Sequence, residues 1–178
     1  MDVTLRSACP GDEDFLYRVY ASTRSAEMAL VDWDDERKTA FLRMQFLAQD
    51  RHYREGFREA RFDVIECDGR PIGRFYVDRG PDEIRILDIA LLAEYRQRGI
   101  GSCLMDAILA EARRDGKAVS LHVERSNPAS RLYERLGFVT VDEGPIYRLL
   151  ELRGGNSGEE RLVVEPLPAG ADGNQEDR

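Results

Sequence analysis

The apolar positions change period along the chain, and the changes mark out a succession of strands and helices. Residues 3–8 (Val-Thr-Leu-Arg-Ser-Ala) alternate as a strand, and Pro10-Gly11 ends it before an acidic run, Asp12-Glu13-Asp14, suited to a helix N-terminus. Phe15, Leu16 and Val19 supply the buried stripe of this helix, which ends near Arg24. A longer helix begins around Asp32 to Asp35 and runs to about Gly56, with Phe41, Met44, Leu47 and Ala48 at helical spacing. Residues 61–67 alternate with period two, Asp68-Gly69 is a hairpin turn, and residues 71–78 form the returning strand. Gly80-Pro81 turns the chain into a long strand from Ile84 to Leu92, and its alternation slips between Asp88 and Leu91, which predicts a bulge. A helix carrying Leu104, Met105, Ile108, Leu109 and Ala112 closes at Asp115-Gly116. Strand 118–124 then leads to Asn127-Pro128, an N-cap and first-turn pair, and to a short helix stopped by Gly137. Residues 138–141 and 146–152 read as a closing antiparallel pair.

The segment between the long strand and its helix carries chemistry. It reads Arg96-Gln97-Arg98-Gly99-Ile100-Gly101-Ser102. First-turn amides of a helix have no intrahelical acceptor and the helix dipole attracts anions, so this turn is a candidate phosphate cradle. Gly99 and Gly101 let a ligand approach the backbone, while Arg96 and Arg98 add positive charge. The spacing departs from a dinucleotide fingerprint, with Leu104 three positions beyond Gly101, and no Lys-Ser/Thr pair completes a nucleoside triphosphate loop. Two glycines in such a turn also occur as plain geometry.

About thirty residues further on comes Leu-His-Val-Glu-Arg-Ser-Asn-Pro-Ala-Ser-Arg-Leu-Tyr-Glu-Arg-Leu-Gly-Phe, residues 121–138. Together with Arg-x-x-Gly-x-Gly, this run resembles the GNAT superfamily of acetyl-CoA-dependent N-acetyltransferases over roughly residues 3–152, most closely over 84–138 and weakly between 25 and 60. The resemblance implies an α/β (mixed α+β) domain at residues 1–153, with a central mixed sheet of about six or seven strands and helices on both faces. It implies acetyl-CoA as co-substrate, with the pantetheine arm along Ile89, Ala90 and Leu91 and the pyrophosphate on the amides from Gln97 to Ser102. Asn127 matches a side chain that touches the cofactor, and Tyr133 matches the tyrosine that protonates the departing thiolate. The spacing from Asn127 to Tyr133 is one residue shorter than in many relatives.

The implied reaction joins an amine to the acetyl carbonyl by direct attack in a ternary complex. It needs a proton acceptor for the amine, a donor for the developing oxyanion and an acid for the thiolate. No metal is required. His122, where some relatives carry a catalytic glutamate, is one candidate base, since an imidazole exchanges protons near neutrality. Glu83 and Asp88 on the preceding strand are the others. Cys103 directly follows the cradle and suggests an acyl-cysteine route, but direct transfer makes it a small residue in the buried first turn of the helix. A GNAT-fold module that binds acyl-CoA or a partner without turnover is the alternative reading.

Composition narrows the partners. Of 178 residues, 34 are Asp or Glu and 26 Lys or Arg, a net charge of −8, which disfavours broad phosphate-backbone binding to nucleic acid. No apolar stretch is long enough to cross a membrane and the N-terminus does not resemble a secretory signal, so a cytoplasmic protein is expected. Three widely spaced cysteines and two histidines do not suggest a disulfide framework or a metal site, and the thiols read as reduced and mostly buried. Trp33, Phe41, Phe46, Tyr53 and Phe57, with Asp32, Asp34, Asp35 and Glu36, form either a wall for a cationic amine or a solvated helix with a buried stripe. The acceptor expected is an amine-bearing small molecule or peptide, and a homodimer is compatible with the resemblance. Residues 154–178 carry a net charge of −4, five glycines and no aromatic residue, and read as an acidic flexible tail in which Leu162-Val163-Val164 has the pattern of an edge strand.

Overall fold

The structure, a computed structural model, describes residues 2–153. The expectations for the acidic tail and for Leu162-Val163-Val164 lie outside the described residues. In chain order the elements are β1 (Val3–Ser7), a 3-10 turn (Pro10–Asp12), α1 (Glu13–Thr23), α2 (Ser25–Ala29), α3 (Asp35–Gly56), β2 (Arg61–Cys67), β3 (Arg70–Arg79) and β4 (Glu83–Leu91). A second 3-10 turn (Ala93–Tyr95) leads to α4 (Ile100–Asp115), β5 (Ala118–Glu124), α5 (Ser130–Arg135), β6 (Val139–Glu143) and β7 (Tyr147–Leu152). The seven strands form one sheet in the order β1-β2-β3-β4-β5-β7-β6, antiparallel throughout except for the parallel pair β4 and β5 that α4 connects. The expected mixed sheet with helices on both faces is the fold observed.

Each face has its own core. On one, α4 buries Ile100, Leu104, Met105, Ile108, Leu109 and Ala112 against Ile84, Ile86, Val119 and Leu121. On the other, Phe15, Leu16, Val19 and Tyr20 of α1 and Leu42 and Phe46 of α3 cover Val64 and Ala90. The inward stripe of α3 is therefore Leu42 and Phe46, while Met44 and Leu47 of the expected stripe are 60% and 41% exposed. Helix α3 carries apolar residues on more than one side, and the stripe turned inward is the one that meets α1, Val64 and Ala90. Asp34 caps this helix, accepting from the Arg37 amide at 2.7 Å, and Asp35 and Glu36 occupy its first turn, so most of the acidic run serves the helix end. Only Cys67 is buried; Cys9 and Cys103 are exposed, which corrects the expectation of buried thiols, because Cys103 falls outside the inward stripe of α4.

The acidic start of α1 does more than complement a dipole. Asp12 is buried and receives two bonds of 2.7 Å from the Arg6 guanidinium on β1 and one of 2.8 Å from the Cys9 amide. Arg6 also donates to Glu66 on β2 at 2.7 Å. The Arg6 hydrogen bonds hold the Asp12 carboxyl well below the usual carboxylate range. A carboxyl with a depressed folded-state pKa stabilises the fold above its unfolded value near pH 4 and loses that contribution as pH falls. Asp12→Asn is expected to cost about 1–2 kcal/mol at pH 7, a figure reduced for solvent at the partly exposed Arg6 end. The deficit, measured by urea denaturation, should shrink as pH is lowered to about 3.

Candidate functional site

Strand β4 contains one residue too many. Tyr76 of β3 faces Asp88 and Val77 faces Ile86, so Leu87 is bulged out of the ladder, one position before the expected slip. The extra residue changes which side chains point where. Ile84 and Ile86 face α4, whereas after the bulge Asp88 and Ala90 face α1 and α3, and Ile89 and Leu91 pack toward α4. The ladder between β4 and β5 also stops there, its last pair being Ile86 with Leu121. Beyond that pair β5 continues beside β7 alone, and Ile89, Ala90 and Leu91 present an edge with no strand on the β5 side.

This splay ends at the glycine turn. Gln97 and Gly99 are left-handed, with φ of 59° and 81°, and the first backbone bond of α4 runs from the Cys103 amide to the Gly99 carbonyl at 3.0 Å. The amides of Ile100, Gly101 and Ser102 thus form the unpaired first turn of a sixteen-residue helix. A Cβ built on Gly99 or Gly101 would meet nothing within 4 Å, so the turn opens on free space. Arg96 and Arg98 do not hang over it as free cations. Arg96 donates to the Leu91 carbonyl at 2.9 Å and to Ser22 Oγ at 3.1 Å, bracing the turn against the end of α1, and Arg98 lies 5.4 Å from the centre of the Tyr95 ring.

Tyr133 lies on α5 and Asn127 in the turn before it. Asn127 accepts from the Ala129 amide at 2.9 Å in a local turn, and the helix starts only at Ser130 with Ala129 at its N-cap, so Asn127-Pro128 precedes the helix instead of forming its expected cap and first-turn pair. Tyr133 is buried, held edge-on against Phe138 with ring centres 5.9 Å apart, and Gly137 at φ 91° ends the helix behind it. Burial, and after it the charge of Asp88, push the Tyr133 phenol up to about 12. Tyr133 consequently keeps its proton across the physiological range.

The three candidate bases are separated. Asp88 binds Arg74 Nη2 at 2.6 Å, and the same nitrogen donates to Gln49 of α3 at 3.0 Å. Arg74 is only 4% exposed, so the Asp88 carboxylate is engaged by a buried cation. Glu83 lies at the other end of β4, opposite Ala118 and paired with Arg85 at 3.0 Å, far from the splay. His122 is the first residue of β5 past the last β4 pair; it is exposed, and its neighbours Leu121 and Val123 point into the α4 core. The aromatic group on α3 and just before it is likewise divided. Phe46 is core, Trp33 and Phe41 stack edge-on at 5.4 Å, and Tyr53 donates to the Leu87 carbonyl at 3.1 Å.

Arg74 and Gly73 were not singled out by sequence reasoning. A charged residue at an inward position of an otherwise apolar strand is the signal that points to Arg74. A Cβ on Gly73 would collide with the Ala90 carbonyl oxygen and lie 2.8 Å from Leu91 Cδ2, so only glycine lets β3 support the end of β4.

Comparison with known proteins follows the same outline. A family model described as the acetyltransferase (GNAT) family matches residues 19–138. A mycothiol acetyltransferase of Clavibacter michiganensis is 38% identical over 110 residues, 60% of this chain and 33% of that protein. An N-alpha-acetyltransferase of Sulfurisphaera tokodaii is 33% identical over 98 residues, 47% of this chain and 59% of that protein. The matched region thus spans between about a third and three fifths of these relatives. The PaiA N-acetyltransferase of Thermoplasma acidophilum, solved in complex with coenzyme A, superposes with a TM-score of 0.64 at 19% identity, covering 86% of this chain and 99% of its own. That likeness is one of fold.

Gly73→Ala is expected to destabilise the protein by roughly 1–3 kcal/mol through overpacking against backbone, whereas Gly101→Ala, with free space around its Cβ, should leave the melting temperature unchanged or raised. Thermal denaturation of the two variants side by side tests the contrast.

Proposed function

The chain belongs to the GNAT acetyltransferase family, and on that premise we propose that it transfers an acetyl group from acetyl-CoA to a primary amine by direct attack. The observation that carries the reading is the splay of β4 from β5, which leaves an unpaired strand edge leading directly to an open, unpaired helix N-terminus. An unpaired edge offers backbone donors and acceptors to an amide-bearing arm, and unpaired first-turn amides suit a pyrophosphate. Ile89, Ala90 and Leu91 are the residues for the arm, and Gln97 to Ser102 for the pyrophosphate. Arg96 holds the turn in place and Arg98 supplies nearby positive charge. Acetyl-CoA supplies an activated carbonyl and a thiolate leaving group; the chain's residues position and polarise them.

Tyr133, buried and protonated on α5, is proposed to donate toward the leaving sulfur. His122 borders the splay with its ring in solvent and is the proposed proton acceptor, since Asp88 is engaged by Arg74 and Glu83 stands at the far end of the strand. The likeness to the N-alpha-acetyltransferase of Sulfurisphaera supports an amine acceptor of the peptide type, and an acidic protein suits a cationic acceptor. Residues 1–153 are proposed as the catalytic domain.

Calorimetric titration with acetyl-CoA, CoA and NADH tests the reading. Acetyl-CoA and CoA are expected to bind and NADH not to, and Gly101→Glu should abolish binding while the protein stays folded, because its side chain enters the open turn. Absence of binding at high micromolar acetyl-CoA would overturn the proposal. Once an acceptor amine is found by thiol release, Tyr133→Phe and His122→Ala should each lower turnover on the order of 100-fold; unchanged turnover removes the residue from its role.

A further inference from the structure

The two arms of the splay are joined again beyond the point where their ladder ends. On one side, α1 packs on the end of β4: Val19 and Tyr20 share a core with Ala90, and Ser22 receives Arg96 from the turn that follows β4. Arg24, which ends α1 and opens α2, is therefore carried by the β4 arm. On the other side, β5 runs past Leu121, its last partner on β4, as His122, Val123 and Glu124 beside β7. Arg24 Nη1 meets Glu124 Oε1 at 2.7 Å, so an ion pair bridges the arms on the α1 face. Val123 points into the α4 core, which puts His122 and Glu124 together on the face that Arg24 occupies. The same guanidinium nitrogen donates to Glu27 of α2 at 3.0 Å, and the group lies 5.8 Å from the centre of the Tyr20 ring, which anchors it on the α1 side. With their side chains 22% and 26% exposed, the partners are less screened by water than a surface pair.

We infer that Arg24 and Glu124 are positioning residues, an ion-pair tie across the splay that sets how far the tip of β5, and with it His122, stands from the free edge of β4. This role rests on the acetyl-CoA reading above and adds to it two residues that act without touching the cofactor. Strands that diverge after a bulge have no ladder bonds to fix their opening, and a contact between the arms beyond their last pair acts with the longest lever. A ligand lying along the β4 edge is retained, and is met by groups on β5 in one geometry, only while that opening is constant.

The test follows association and dissociation of acetyl-CoA by surface plasmon resonance on the intact protein, with circular dichroism to check the fold. Arg24→Gln and Glu124→Gln each break the tie, and each should speed dissociation by about three- to tenfold. Their charges alone would act in opposite directions: acetyl-CoA is an anion, so losing Arg24 would weaken binding and losing Glu124 would tighten it. Faster dissociation in both variants is thus the mark of the tie. The reversed pair, Arg24→Glu with Glu124→Arg, should bring dissociation back to within about twofold of the wild type. Arg43→Gln breaks a different pair, between α3 and Asp14 at the start of α1 at 2.8 Å, and should leave the rates unchanged. Failure of the wild type to bind acetyl-CoA would overturn the underlying reading and the tie with it. Binding with opposite shifts in the two single variants, with unshifted dissociation, or with a reversed pair as fast as the single variants would overturn the tie alone.

Discussion

A single extra residue in β4 is the constraint on which the rest of the site depends. Up to Ile86 the strand is an ordinary parallel partner of β5, with its side chains alternating into the α4 core. Leu87 breaks both regularities at once. A bulge bends and twists the strand that carries it, so β4 leaves β5 and its backbone edge is exposed over the next residues. An exposed edge on the rim of a sheet invites association with another chain. Here the edge lies between paired strands and runs into the glycine turn that opens α4.

Opening a sheet from within removes ladder hydrogen bonds, and the end of β4 is correspondingly tied down from several sides. Gly73 lets β3 come close beneath Ala90, Arg74 anchors Asp88, Arg96 donates to the Leu91 carbonyl, and Tyr53 donates to Leu87. The Arg74–Asp88 pair illustrates what such contacts contribute. Taking both charges out of water offsets much of their attraction, so the pair adds little net stability. Its contribution is geometric: the buried guanidinium ties Asp88, at the end of β4, to Gln49 of α3. Removing either partner would leave the other buried without a counter-charge.

The parts of this architecture that were legible in the sequence are those written locally in the backbone. Asp68-Gly69, Gly80-Pro81, Gly116 and Gly137 mark turns because the chain must reverse or adopt positive φ, and a slip in apolar period reports an inserted residue. The glycine turn at residues 96–102 belongs to the same class. What could not be read depends on contacts between distant elements. The phase of α3 is set by its neighbours, and a helix with apolar residues at 41, 42, 44, 46 and 47 offers more than one stripe. Arg96 looks like a ligand for an anion in sequence, and only the approach of Ser22 and Leu91 turns it into a brace. The division of Asp88 from His122 follows equally from pairing: one faces a buried arginine, the other faces solvent.

The electrostatics of Tyr133 bear on how it assists a departing thiolate under the proposed reading. A phenol at about 12 is a weaker acid than a thiol near 8.5 in water by roughly three to four units, so proton transfer to a fully solvated thiolate would run uphill. Two features of the splay reduce that gap. The apolar surroundings that disfavour the Tyr133 phenolate disfavour a thiolate in the same place, which raises the sulfur's affinity for a proton in parallel. The fixed negative charge of Asp88 acts in the same direction on both groups, while Arg74, on the far side of Asp88, partly neutralises it. Burial that weakens Tyr133 as an acid in isolation therefore keeps it matched to its partner, and it guarantees that the hydroxyl carries a proton at any pH where the amine is reactive. On the proposed reading, shared desolvation, rather than a lowered phenol pKa, is what makes Tyr133 an effective donor.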